Sequence, residues 1–157
     1  MMKIKEILEC GNFCQVGYIV KDIEESKKKF AALFGSTVPV NIECGKYEVT
    51  KTVYRGRPTP EAACIMAFFT LSGEVQMELI QPNEAPSAWR EYLDEKGEGI
   101  HHIAFKCTNM DAVISDCEEA GMTLVQRGQY GDASGRYAYL DGNNDYKCMI
   151  ELLEDYL

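Results

Sequence analysis

The chain has 157 residues, enough for one domain with a sizeable core or for two small halves that share one. Its formal charge of −9 and lack of a basic stripe exclude a nucleic-acid backbone as partner, because phosphate binding needs clustered Lys and Arg. Seven cysteines, an odd number with no Cys-x-x-Cys spacing, argue against a disulfide frame or zinc cluster and for small buried hydrophobes in a reducing compartment.

Residues 1–8 lack the apolar core of a secretory leader. No apolar run reaches the roughly 20 residues that a bilayer-crossing helix needs, so a soluble, cytoplasmic protein with no membrane partner is expected. Patterning predicts a strand from Phe13 to Val20. Asp22 then caps a helix, with Glu25 at its third position as reciprocal partner. Ile23, Phe30, Leu33 and Phe34 supply the apolar stripe and Gly35 stops it, while Lys27, Lys28 and Lys29 read as its solvated face. Pro86 to Lys96 forms a short linking helix, with Pro86 near its first turn and Trp89, Tyr92 and Leu93 on one side. Ile100 to Cys107 is a strand, Asn109 caps a helix carrying Met110, Val113, Ile114 and Cys117, and Gly121 ends it. Strands follow at about Thr123–Arg127, Arg136–Leu140 and Lys147–Leu153, with Gly128, Gly131, Gly135 and Gly142 in the turns between.

The two parts are copies of one unit. An ungapped alignment puts Gln15 on His102, Tyr18 on Phe105, Asp22 on Asn109 and Ile23 on Met110; Val75 to Ile80 matches Cys148 to Leu153. The chain therefore reads as one domain over 1–157, with module one about 11–83, a linking helix about 86–96 and module two about 98–155. Module one carries the longer middle, near Glu43 to Pro60. The fold class is α+β: two tandem βαβββ modules forming a curved, partly open mixed sheet around a trough.

Strand alternation selects the trough residues. Val16, Tyr18 and Val20 share one face with Gln15, Gly17 and Ile19 opposite; in the repeat, Ile103, Phe105 and Cys107 oppose His102, Ala104 and Lys106. With the apolar faces under the helices, Gln15 and His102 point into the trough beside the small Gly17 and Ala104. Glu78 and Glu151 interrupt strongly apolar strands, where an unpaired carboxylate is costly and a cation removes the cost. Taken singly, each glutamate is equally a solvent-facing strand residue, Gln15 an ordinary amide and His102 a satisfied core histidine. Their matched repeat positions favour a metal site of Gln15, Glu78, His102 and Glu151, suited to one divalent ion: zinc, nickel, cobalt, manganese or magnesium. His101 has the opposite parity and reads as structural.

The segments Gln15-Val-Gly-Tyr-Ile-Val-Lys-Asp and Gly97-Glu-Gly-Ile-His-His-Ile-Ala-Phe, with the two Glu-Leu endings, resemble the vicinal oxygen chelate superfamily (glyoxalase/bleomycin resistance/dioxygenase) over nearly the whole chain. The resemblance is closest to methylmalonyl-CoA epimerases and extends to glyoxalase I, the lactoylglutathione lyase. It implies metal ligands on the first and last strand of each module, which map onto Gln15, Glu78, His102 and Glu151. Many epimerases carry histidine in place of Gln15 and glutamine in place of Glu78; the set here resembles some glyoxalase I enzymes.

The implied activity is that of a metal-dependent isomerase, which abstracts an acidic α-proton from an acyl-CoA through a metal-stabilised enolate. Glu151 is the ligand that doubles as base, and Glu61 resembles in position the epimerase's catalytic glutamate. Arg55, Arg57, Arg127 and Arg136 are candidates for a substrate carboxylate or phosphate, or for surface ion pairs. The alternatives are a glyoxalase-type lyase acting on a thiol–aldehyde adduct and a metal-free small-molecule binding or resistance protein. A two-histidine, one-carboxylate iron triad is not available for ring cleavage. Relatives are commonly dimers, which implies a homodimer.

Overall fold

The computed structural model describes residues 7–157, so the reading of the leader region falls mostly outside it. A short 3₁₀ turn, Cys10–Asn12, leads into β1, Phe13–Ile19, and α1, Ile23–Phe34. The middle of the first half is β2 Ile42–Glu43, α2 Tyr47–Thr50, β3 Val53–Tyr54 and β4 Arg57–Pro58. The hairpin of β5 Cys64–Thr70 and β6 Gln76–Pro82 closes that half, and α3 Ala88–Lys96 follows. The second half runs β7 Gly99–Lys106, α4 Met110–Glu119, β8 Thr123–Gln129, β9 Gly135–Asp141, α5 Asn143–Tyr146 and β10 Met149–Asp155.

All ten strands join one mixed sheet, ordered β2-β5-β6-β1-β7-β10-β9-β8-β3-β4 and curled into a half-barrel. The two halves meet at the antiparallel pair β1–β7. Each of these strands takes the last strand of its own half as a parallel neighbour, β6 on β1 and β10 on β7. Helix α1 covers the outer face of the first half through Ile23 and Ala31, which pack on Val20, Phe69, Met77 and Leu79. Helix α4 does the same for the second half through Met110, Ile114 and Cys117, which pack on Leu140, Ile150 and Leu152. A third cluster lies inside the curl, where Ala88 and Trp89 of α3 meet Ile19, Ile80, Val125, Tyr137 and Tyr139. Among the described residues no helix is long and apolar enough to cross a membrane.

Several local expectations change. Leu33 is 74% exposed, and Lys27 takes the buried place in the stripe. The Lys27 stem packs inward while its ammonium reaches Glu24 at 3.1 Å. Asp22 accepts from the Glu25 N–H at 3.0 Å, but the Glu25 carboxylate pairs with Lys29 at 2.7 Å, so the cap works in one direction. Asn109 sits at φ 53 with no side-chain cap bond; the Glu154 carboxylate from β10 accepts from the Met110 N–H at 2.7 Å instead. Ser87, not Pro86, opens α3, accepting from the Arg90 N–H at 2.9 Å.

The long middle of the first half also leaves its own half. β3 and β4 form a hairpin whose two-residue turn, Arg55-Gly56, has positive φ at both positions. β3 pairs with β8, Val53 opposite Arg127 and Tyr54 opposite Gln126, and so extends the second half's edge.

Candidate metal centre

The seam between β1 and β7 forms the floor of the trough. Gln15 lies opposite Ala104, and Gly17 opposite His102. On either flank the parallel partner supplies an acid beside a small residue: Glu78 next to Gly17, and Glu151 next to Ala104. The smallness is required at Gly17, where a methyl group would fall inside the His102 ring. All four polar side chains are buried: Gln15 5% exposed, Glu78 5%, His102 0% and Glu151 4%.

Their tips converge. His102 Nε2 lies 3.0 Å from Glu151 Oε2, 3.3 Å from Glu78 Oε2 and 2.9 Å from the Gln15 amide. The same Gln15 terminal atom is 3.0 Å from each glutamate Oε2. With its nitrogen inward, the amide donates to both acids; with its oxygen inward, it donates to Gln76 at 3.5 Å and adds a further acceptor to the cluster. Burial drives the His102 ring toward neutrality, but Glu151 and Glu78 outweigh it and raise the ring to about 10. Burial pushes the Glu78 carboxyl up against the opposing pull of His102. In the metal-free site, then, a proton on His102 supplies the positive charge that the two acids require.

These residues fit a divalent cation. Cis corners of an octahedron with bonds of about 2.1 Å are about 3.0 Å apart, the spacing of these atoms. Glu78, His102 and Glu151 each offer a ligand atom, all within 4.8 Å of one another. Two carboxylates balance a doubly charged ion, and Gln15 offers a carbonyl oxygen when turned oxygen-inward.

His101 departs from strict alternation. The pairing steps from Gly17–His102 to Tyr18–Ile100, which leaves His101 as the extra residue of a β-bulge. The bulge turns both imidazoles inward. His101 is 0% exposed, boxed by the rings of Tyr92 at 5.3 Å and Tyr139 at 5.0 Å, and its Nδ1 lies 3.0 Å from His102 Nδ1. Burial, then the neighbouring His102, holds His101 well below the ordinary histidine range, so it is neutral. A metal-binding histidine is generally oriented by a partner on its second nitrogen. Period-two reading places His101 on the far face, and nothing in the residues before it marks the bulge.

Gln15, Glu78 and Glu151 open on a cavity of about 530 Å³ whose wall also includes Glu43, Cys44, Phe68, Gln76, Tyr130 and Lys106, with His102 fully buried behind them. Gln76, Glu43 and Lys106 were not picked out by sequence reasoning. Alternation had put Lys106 on the correct face; Glu43 reaches the wall because β2 pairs along β5. Lys106 is the cation of this wall, and Asp155 holds it through both oxygens at 2.8 Å. Glu61 lies exposed in the bend before β5, outside the cavity wall. None of the four candidate arginines reaches the wall. Arg55 pairs with Glu91 at 2.8 Å, and Arg136 with Glu154 at 2.9 Å and Asp111 at 3.2 Å. Arg127 lines a separate outer hollow, and Arg57 is exposed on β4.

Residues 14–139 match the family model described as the Glyoxalase/Bleomycin resistance/Dioxygenase superfamily. The chain is 32% identical over 90 residues to the uncharacterized protein YqjC of Bacillus subtilis (strain 168), a match covering 57% of this chain and 64% of that relative. It thus spans somewhat less than two thirds of that curated relative's length. Methylmalonyl-CoA epimerase from Mycobacterium tuberculosis superposes with a TM-score of 0.67 at 20% identity, covering 99% of this chain and 94% of that one. A variant of the Streptomyces coelicolor methylmalonyl-CoA epimerase, in complex with 2-nitronate-propionyl-CoA, superposes with a TM-score of 0.63 at 21% identity, covering 93% and 98%. At these identities the structural likeness establishes a shared fold.

Proposed function

This chain belongs to the glyoxalase/bleomycin resistance/dioxygenase superfamily, and on that premise we propose that it is a divalent-metal-dependent isomerase that removes an acidic proton from the carbon beside a carbonyl. The convergence of Gln15, Glu78, His102 and Glu151 within about one coordination sphere carries the reading. Two carboxylates buried together are costly unless something positive lies between them. Bound there, a divalent ion supplies electrostatic stabilisation to negative charge on a substrate oxygen.

The chain's own residues do the rest. Gln15, Glu78, His102 and Glu151 hold the ion, and Glu151 also takes the α-proton. Glu61, exposed and outside the cavity wall, has no part in this reading. Glu43, in the wall on β2, is the candidate second acid that returns the proton. Phe68, Met66 and Leu153 line the same cavity and exclude water from the substrate's apolar portion. The substrate class is an acyl-CoA, in keeping with the ligand of the Streptomyces coelicolor relative. The reading is of a single domain working as a homodimer in the cytoplasm, where its seven free cysteines stay reduced.

A second reading, a glyoxalase-type lyase on a thiol–aldehyde adduct, draws on one observation. The wall's cation, Lys106, is committed to Asp155, which leaves it poorly placed for a substrate carboxylate. The test is metal-dependent exchange of the substrate α-proton into deuterated water, with chiral product analysis. Exchange with racemisation of an acyl-CoA supports the isomerase, conversion of a thiohemiacetal to a thioester supports the lyase, and no exchange on either class refutes both.

A further inference from the structure

The cavity wall contains a second reactive feature, which does not depend on any metal. β2 pairs antiparallel with β5, Ile42 opposite Met66 and Glu43 opposite Ile65. One step further, Cys44 lies directly opposite Cys64, and its N–H donates to the Cys64 carbonyl at 3.2 Å. Residues directly opposed across antiparallel strands have Cα atoms about 4.5–5.5 Å apart. That is inside the span of about 4.4–6.8 Å that a disulfide bridges.

The two thiols are unequal. Cys44 is half-buried and lines the cavity; Cys64 is 3% exposed behind it. The Ala63 N–H donates to Cys44 Sγ at 3.2 Å. Its acceptor contact is weak, the Gly45 carbonyl at 3.8 Å. A backbone donor on the sulfur favours a thiolate. We infer that Cys44 and Cys64 form a thiol pair in the cavity wall that reacts with hydroperoxides, Cys44 as the attacking sulfur and Cys64 as the resolving one. The electrostatics agree: the neighbouring Cys64 thiol outweighs burial and lowers Cys44 to about 7, while burial pushes Cys14, Cys107 and Cys117 up to about 11.

The chemistry balances. The Cys44 thiolate attacks one oxygen of the hydroperoxide, the O–O bond breaks, and the departing alkoxide or hydroxide takes a proton to leave as alcohol or water. Cys44 is then a sulfenic acid. The Cys64 sulfur attacks the Cys44 sulfur, the S–O bond breaks, and the hydroxide leaves as water with the Cys64 proton. Two thiols are oxidised by two electrons and one peroxide bond is reduced. The new bond tethers the edge strand β2, which carries Ile42 and Glu43 of the cavity wall, to β5.

The test uses the whole protein with hydrogen peroxide as the only added reactant. One equivalent is added near pH 7, and disulfides are mapped by peptide mass spectrometry. A Cys44–Cys64 cross-link with loss of two hydrogens is the expected result, and Cys64→Ser is expected to leave a Cys44 sulfenic acid that dimedone traps. In unoxidised protein, iodoacetamide should modify Cys44 at least about tenfold faster than the exposed Cys10. A cross-link elsewhere, no cross-link at all, or alkylation of Cys10 ahead of Cys44 overturns the inference. Mapping and alkylation use the unsubstituted chain, so failure of the serine variant to fold leaves both decisive.

Discussion

His101 Nδ1 and His102 Nδ1 lie 3.0 Å apart in a fully buried contact made by a bulge in β7. One ring must donate and the other accept. His102 Nε2 faces Glu151 and Glu78, so in the metal-free site that nitrogen holds a proton; when it faces a cation it cannot. In both cases Nδ1 of His102 carries a proton, and neutral His101 accepts it. His101→Leu removes the acceptor with little change in volume. We expect metal affinity to fall by roughly 10- to 100-fold, measured by competition with a chelating dye, with the fold intact by circular dichroism. Unchanged affinity would show that the contact is packing alone.

The proton on His102 makes the metal-free protein sensitive to base. Its folded value, about 10, is above the ordinary 6.5, so the stabilisation is fully present below about pH 6.5 and is lost as the pH rises through 10. Thermal unfolding in excess chelator should show a melting temperature that declines from neutral pH to pH 10. His102→Gln should flatten that decline. A wild-type profile level across this range would mean that the proton is not held there.

Gly17 tests the floor. A methyl here collides with the His102 ring, while one at Gly11 meets nothing within 4 Å. Gly17→Ala should destabilise the fold by about 1–3 kcal/mol in urea and abolish high-affinity metal binding, with Gly11→Ala as the neutral control. Equal effects from the two variants would contradict the tight placement of the ring.

Glu78 and Glu151 are expected to separate stability from function. Glu78→Gln removes a buried charge, so the metal-free protein should become more stable while the metal-dependent gain in melting temperature shrinks. Glu151→Gln should lower α-proton exchange by at least about 100-fold. Thermal shift with and without metal, alongside exchange rates, separates the two roles. A Glu151→Gln variant with wild-type exchange would remove Glu151 as the base.

Period-two alternation located Gln15 and His102 because β1 and β7 are regular where those residues pair. Glu78 and Glu151 were legible as acids in apolar strands, and the repeat linked them across the chain. His101 was misplaced because a bulge adds one residue without changing composition. Leu33 looked like a core residue because helical spacing alone does not rank it against Lys27, whose long stem packs equally well. The destination of Val53–Pro58 was not legible because pairing with β8 is a long-range choice. The Cys44–Cys64 relationship depends on the register of β2 against β5, and its two-residue strand is too short to show a period.

The central claim is that Gln15, Glu78, His102 and Glu151 together hold one divalent ion. Calorimetric titration of chelator-stripped protein with zinc, nickel, cobalt, manganese and magnesium tests it most directly. The expected result is one ion per chain for at least one of these metals, with binding lost in His102→Ala and in the double variant Glu78→Gln/Glu151→Gln. No saturable binding by any of the five, or binding that survives both variants, would contradict it.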